Sequence, residues 1–169
     1  MKKLLIFLIA ILFIPTICYA SVLDEVPPYV DIVGINESDY NLILSHAREN
    51  LPEEACGLLG AVIDGEDKYV KKVYNIENTD HSNEHFTMSP VAQLSSVKDM
   101  RANGYTMLGN WHSHPESPSR PSEEDKRLAM DSKLRYLILS LMDNDKPVLN
   151  AFIIDKDKNV SKEGIKIVK

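Results

Sequence analysis

The sequence predicts an α+β layer fold, on three observations. Apolar residues recur at helical spacing through residues 38–50. A continuous apolar run at 55–63 is followed by Asp64-Gly65, a hairpin signal, and then by a loosely alternating segment. Strand-like apolar segments nearer the C-terminus are interrupted by helical ones, the mixed order of helices packed on a largely hairpin-connected sheet.

Taken in order, Tyr40, Ile43, Leu44 and Ala47 form the apolar face of the 38–50 helix, with His46 on its polar side and Pro52 helping to close it. Residues 55–63 form a strand, and 68–76 return as its partner. Residues 75–86 are polar and read as a loop, with His81 and His85 in solvent. Ser89-Pro90 opens a second helix, Ser as N-cap and Pro in the first turn, which ends near Gly104. Residues 105–111 read as a short strand that delivers His112 to its end, with Trp111 packing beneath. The Pro, Ser and Arg of 116–121 make a loop, and Ser122 to about Ser132 a third helix. Residues 134–142 are a strongly apolar strand, and 148–154 and 164–168 complete the sheet after Asp, Asn and Lys turns.

The chain has 169 residues, a length that suits one compact domain. Seven Gly and nine Pro are too few for a linker or low-complexity chain. The net charge of −6 excludes nonspecific nucleic-acid binding, which needs a basic face to displace phosphate counterions.

Lys2-Lys3 is a short positive head, residues 4–17 are apolar, and Cys18-Tyr19-Ala20 ends in a small-x-small pattern. Together these describe a secretory signal peptide at residues 1–20, cleaved after Ala20, followed by one domain at 21–169. The apolar stretch is short for a ~30 Å hydrocarbon core, so membrane attachment would arise only through an uncleaved segment. The folded part is expected outside the cytoplasm, periplasmic or extracellular. Removal of Cys18 leaves Cys56 alone, which excludes a disulfide scaffold and reads as a core residue.

The chemistry concentrates in His112-Ser113-His114-Pro115 and Ser122-Glu123-Glu124-Asp125. Two His at i and i+2 on an extended segment project to one side and can share a metal ion. Asp125, in the first turn of the next helix, can add an oxygen ligand. Two imidazoles and one carboxylate with an open fourth position suit catalytic Zn²⁺, whereas Mg²⁺ and Ca²⁺ prefer oxygen donors. Ser122 and Asp125 equally satisfy a capping box, so local sequence alone leaves Asp125 with two competing roles.

The run from His112 to Asp125 has the form His-x-His, seven residues, Ser, two residues, Asp. It resembles the signature of the JAMM metalloproteases, also called the MPN+ or JAB domain. The upstream segment from Pro52 to Gly60, and Phe86-Thr87-Met88-Ser89-Pro90, resemble that family too, and the similarity spans roughly residues 33–152. The resemblance implies a cytidine-deaminase-like fold, a curved mixed sheet flanked by helices with the site at its edge. It implies one zinc ion on His112, His114 and Asp125, completed by water. Ser122 would be the oxyanion donor and Glu54 the general base. Glu54 is preferred to Glu53 because the family's Glu stands three residues before the Gly, here Gly57.

The implied activity is zinc-dependent hydrolysis of a peptide or isopeptide bond in a protein or peptide substrate, ubiquitin-like carriers among them. An export signal sits oddly with such carriers, which are normally cytoplasmic. The alternatives are a cell-envelope peptide hydrolase acting on peptidoglycan by the same mechanism, and a noncatalytic MPN-type scaffold that binds a partner protein. Scaffold members typically lose His or Asp ligands, which are all present here.

Overall fold

The computed structural model describes residues 32–169, so the expected signal peptide lies outside the described residues. The elements run β1 (Ile32–Asn36), α1 (Glu37–Glu49), β2 (Cys56–Asp64), β3 (Asp67–Ile76), α2 (Pro90–Ala102), β4 (Thr106–His114), α3 (Glu123–Leu128), β5 (Arg135–Ser140), β6 (Val148–Ile154) and β7 (Val160–Val168). The strands form a mixed sheet in the order β1-β3-β2-β4-β5-β6-β7. β1 lies parallel to both β3 and β7, which closes the sheet into a barrel. β4 and β5 are also parallel, and α3 lies in the long connection that such a pair requires.

Period-two alternation explains the layers. Leu59 and Ala61 of β2 and Leu137 and Leu139 of β5 join the cluster that also holds Val33, Trp111 and the Ile43 and Ala47 of α1. Cys56 and Leu58 turn to the other face and pack with Tyr74, Ile76, Met88 and Met100, where α2 covers them. Tyr136 and Ile138 do the same on β5, meeting Ala129, Phe152 and Ile154. Strands buried on both faces carry apolar residues at successive positions, as Leu58-Leu59 and Tyr136-Leu137-Ile138-Leu139 do within the 55–63 and 134–142 segments.

Several boundaries differ from the sequence expectation. The strand β1 is an addition; it is five residues long, and its pairing is set by strands far away in the chain. β4 extends through His114, so both His lie within a strand rather than beyond one. α3 stops at Leu128 instead of near Ser132, because Ala129 turns extended and Lys158 Nζ donates to the carbonyl of Ala129 at 2.6 Å. β7 begins at Val160, four residues early. Ser89 stands at the N-cap of α2, but its side chain makes no capping hydrogen bond. His46, placed by the sequence on the polar side of α1, is half-buried, its ring edge-on to Trp111 at 5.9 Å.

Trp111 is fully buried against Gly57. A Cβ at Gly57 would collide with the Tyr74 carbonyl and the indole nitrogen, so this position admits only glycine. Glu163 on β7 bridges Lys68 of β3 at 3.0 Å and Arg135 of β5 at 2.8 Å.

Cys56 is wholly buried, and its Sγ–H donates to the Ile76 carbonyl at 3.4 Å. Burial, helped by the charge of Glu54, pushes the thiol up to about 12. The native protein should therefore resist iodoacetamide at pH 8 and become alkylated only on denaturation. Rapid native alkylation, read by intact mass, would contradict this placement.

Candidate metal centre

β4 is clamped to the end of the segment before β2. Ser113 N–H donates to the Ala55 carbonyl, and Ser113 Oγ accepts from Ala55 N–H, both at 2.8 Å. Its alternate residues, His112 and His114, consequently face the same side, with their Nε2 atoms 3.0 Å apart. Asp125 arrives from α3, placing Oδ1 3.4 Å from His112 Nε2 and Oδ2 3.6 Å from His114 Nε2. With one ligand atom taken from each residue, the three atoms lie within 4.8 Å of one another, close enough to converge on one ion. Two imidazole nitrogens and one carboxylate oxygen are also donors zinc accepts.

The capping box leaves Asp125 Oδ1 facing the His pair. Ser122 N–H and Ser122 Oγ–H both donate to Asp125 Oδ2 at 2.7 Å, and Asp125 N–H donates back to Ser122 Oγ at 3.0 Å. These bonds fix the carboxylate's rotamer while Oδ1 faces His112. Ser122→Ala should therefore cost about 1 kcal/mol through the cap. It should also weaken metal affinity about 10–100-fold, as removal of a ligand's supporting hydrogen bond does. Thermal unfolding and zinc titration of the variant check both, and an unchanged zinc affinity would refute the coupling.

The imidazoles are oriented differently. His114 Nδ1–H donates to the Pro118 carbonyl at 3.0 Å, which leaves Nε2 free to ligate. The loop carrying Pro118 is itself tied down from β5 and β6. Ser140 Oγ–H donates to the Ser117 carbonyl, Ser119 Oγ–H to the Ile138 carbonyl, and Asn150 to both Ser119 oxygens. His112 is held by stacking on Phe86 at 4.9 Å, and its Nδ1 has no hydrogen-bond partner among the described residues.

Burial lowers the His112 pKa below its usual value and so favours the neutral, ligating form. At His114 burial acts the same way, but Asp125, the Pro118 carbonyl and Glu54 outweigh it and raise the value. Asp125 is desolvated, yet hydrogen bonds from His112 and His114 hold it far below the usual carboxylate range.

Glu54 is buried, with Oε1 3.9 Å from His114 Nε2. Desolvation, reinforced by Asp125, Glu124 and Glu84 and opposed by His114, pushes its carboxyl up to about 8. Glu53 turns the other way, to His81 Nδ1 at 3.1 Å. His85 pairs with Asp80 at 3.4 Å, and both His remain exposed. Asn78 had no distinguishing mark in the sequence, where it looks like any polar loop residue. It is buried, donates to the carbonyls of Glu54 at 3.0 Å and His85 at 3.2 Å, and accepts from Asp80 and Thr87 N–H. It thereby secures the 77–88 loop beside the centre. The centre lies at the end of β4, an interior strand of the closed sheet, rather than at a sheet edge.

This curved mixed sheet and its His112, His114 and Asp125 donor set define a metallopeptidase-type domain of the JAMM class. The chain belongs to the prokaryotic homologs of the JAB domain, whose family model matches residues 36–153. It is 26% identical over 139 residues to a CysO-cysteine peptidase of Mycobacterium tuberculosis, covering 82% of this chain and 93% of that protein. It is 32% identical over 103 residues to a desampylase of Haloferax volcanii, covering 58% of this chain and 73% of the relative. A solution structure from Desulfitobacterium hafniense is similar at TM-score 0.75 and 52% identity, covering 81% of this chain and 93% of that one.

Proposed function

We propose that the protein is a zinc-dependent peptidase or isopeptidase that cleaves conjugates or extensions of small, ubiquitin-like carrier proteins. The observation that carries this reading is the convergence of His112, His114 and Asp125 at zinc-ligand separations, with buried Glu54 beside them and outside the set. The named activities of the mycobacterial and haloarchaeal relatives support the substrate class.

When bound, zinc supplies Lewis acidity, polarising the scissile carbonyl and making water a nucleophile near neutral pH. Glu54 accepts the attacking water's proton and returns it to the leaving amine, standing beside the three donors without belonging to them. Ser122 points its hydroxyl proton at Asp125 in the resting arrangement, and rotation about the C–O bond redirects it to the developing oxyanion. The groove for the leaving side passes Glu54, His114, Glu116 and Ser117.

The expected signal peptide places this activity outside the cytoplasm. That location favours comparing envelope peptides with ubiquitin-like fusions as substrates.

Purified protein should hold stoichiometric zinc by metal analysis, and Asp125→Ala should lose it, since each donor is one of only three. A screen of ubiquitin-like fusions and muropeptides then identifies the cleaved class. Full zinc in Asp125→Ala would overturn the metal assignment, and cleavage of muropeptides alone would replace the carrier-protein reading.

A further inference from the structure

The two imidazoles of the centre are secured unequally. His114 Nδ1–H has a backbone acceptor in the Pro118 carbonyl at 3.0 Å, whereas His112 Nδ1 is buried without a partner among the described residues. Phe86 stacks on the His112 ring at 4.9 Å, which fixes the plane of the ring but not which edge carries Nδ1. Asn110 Oδ1 is a second buried atom with no partner among the described residues. Asn110 lies two positions before His112 on β4, so both side chains leave the same face of the strand, and both line one cavity. Two positions along a strand span about 6.4–6.8 Å, a gap that an amide and an imidazole close by rotating toward each other.

The neighbours offer Asn110 Oδ1 no substitute. Leu58 of β2 and Tyr136 of β5 stand opposite Asn110 in the sheet. Leu58 has no side-chain donor, and the Tyr136 hydroxyl donates to the Asp131 carbonyl. The Ser122 hydroxyl, also on the cavity wall, donates to Asp125. An imidazole that ligates through Nε2 carries its proton on Nδ1, so His112 has a donor to place and Asn110 an acceptor. Joining them satisfies two buried groups at once.

We infer that Asn110 is a positioning residue of the centre: its Oδ1 accepts the Nδ1 proton of His112, fixing the tautomer and ring orientation that turn Nε2 to the metal. The inference rests on the metallopeptidase reading above. His112 thus takes from a side chain of its own strand what His114 takes from the 115–121 loop.

The test compares full-length wild type with Asn110→Leu, Asn110→Ala and Asn110→Asp. Zinc affinity is read by competition with a chelator. Exchange of the His112 Nδ1 proton with solvent is followed by isotope-edited NMR of the zinc-loaded forms. Asn110→Leu and Asn110→Ala should each bind zinc about 10–100-fold more weakly, as loss of a ligand's hydrogen-bond partner does. Their Nδ1 proton should exchange faster than in wild type. Asn110→Asp keeps the acceptor and should recover both the affinity and the slow exchange.

Wild-type zinc affinity in Asn110→Leu or Asn110→Ala would overturn the inference. So would equal Nδ1 exchange in wild type and Asn110→Ala. A failure of Asn110→Asp to recover the slow exchange, with or without the affinity, would reduce Asn110 to a packing or charge effect and overturn it too. Wild-type protein that takes up no zinc would overturn the metallopeptidase reading and this inference with it. Zinc uptake with none of the Asn110 effects would overturn the inference alone.

Discussion

Glu54→Gln is expected to leave zinc content close to wild type while turnover falls by about 10²–10⁴-fold. The amide nearly preserves size but cannot accept the attacking water's proton. Zinc should stay because Glu54 lies outside the three-donor set, with Oε1 3.9 Å from His114 Nε2. The matched control is Glu53→Gln, whose side chain turns toward His81 and should cost little. Metal analysis and kinetics on any cleaved substrate measure both variants. A dead Glu53→Gln beside an active Glu54→Gln would reverse the base assignment. Activity in both would remove the carboxylate from the mechanism.

Glu163→Ala should destabilise the fold by about 3–5 kcal/mol, because it withdraws the carboxylate from a buried ion network rather than from a surface pair. The Glu163 side chain is 1% exposed and bridges Lys68 from one side and Arg135 from the other. Its removal strips Arg135 of two hydrogen bonds to carboxylate oxygens in a site where water replaces them badly. Urea denaturation should show a lower midpoint with an unchanged slope. Glu123→Ala is the contrast, since Glu123 is 90% exposed in its pair with Lys126 and should change stability little. Equal effects of the two substitutions would mean that the buried Glu163 network contributes no more than a surface ion pair.

The network also illustrates what local sequence cannot express. Lys68, Arg135 and Glu163 lie far apart in the chain, and each alone reads as an ordinary strand-surface charge. Lys68 and Glu163 meet because β1 closes the sheet between β3 and β7, and Arg135 reaches Glu163 across β6, pairings that no short segment encodes. The strand β1 itself was illegible for the same reason. Ile32–Asn36 carries a glycine and only five residues, and its identity as a strand comes from partners more than thirty residues away.

Local pattern was sufficient for the elements with strong periodicity and chemical punctuation. The 38–50 helix, the Asp64-Gly65 hairpin, the Pro90 helix start and the doubly buried 134–142 strand all follow from side-chain spacing and turn chemistry. So did the common facing of His112 and His114, because an i, i+2 pair in extended chain must face one way whatever surrounds it. Tertiary structure alone decided that Asp125 can cap α3 and still turn an oxygen to the His pair. The two oxygens of one carboxylate divide the work only when α3 is set against β4, and the 115–121 loop does that through Ser117, Ser119 and Asn150. It also decided that Glu54 faces His114 and that Asn78 anchors the neighbouring loop, since burial and long-range hydrogen bonds are properties of the packed chain.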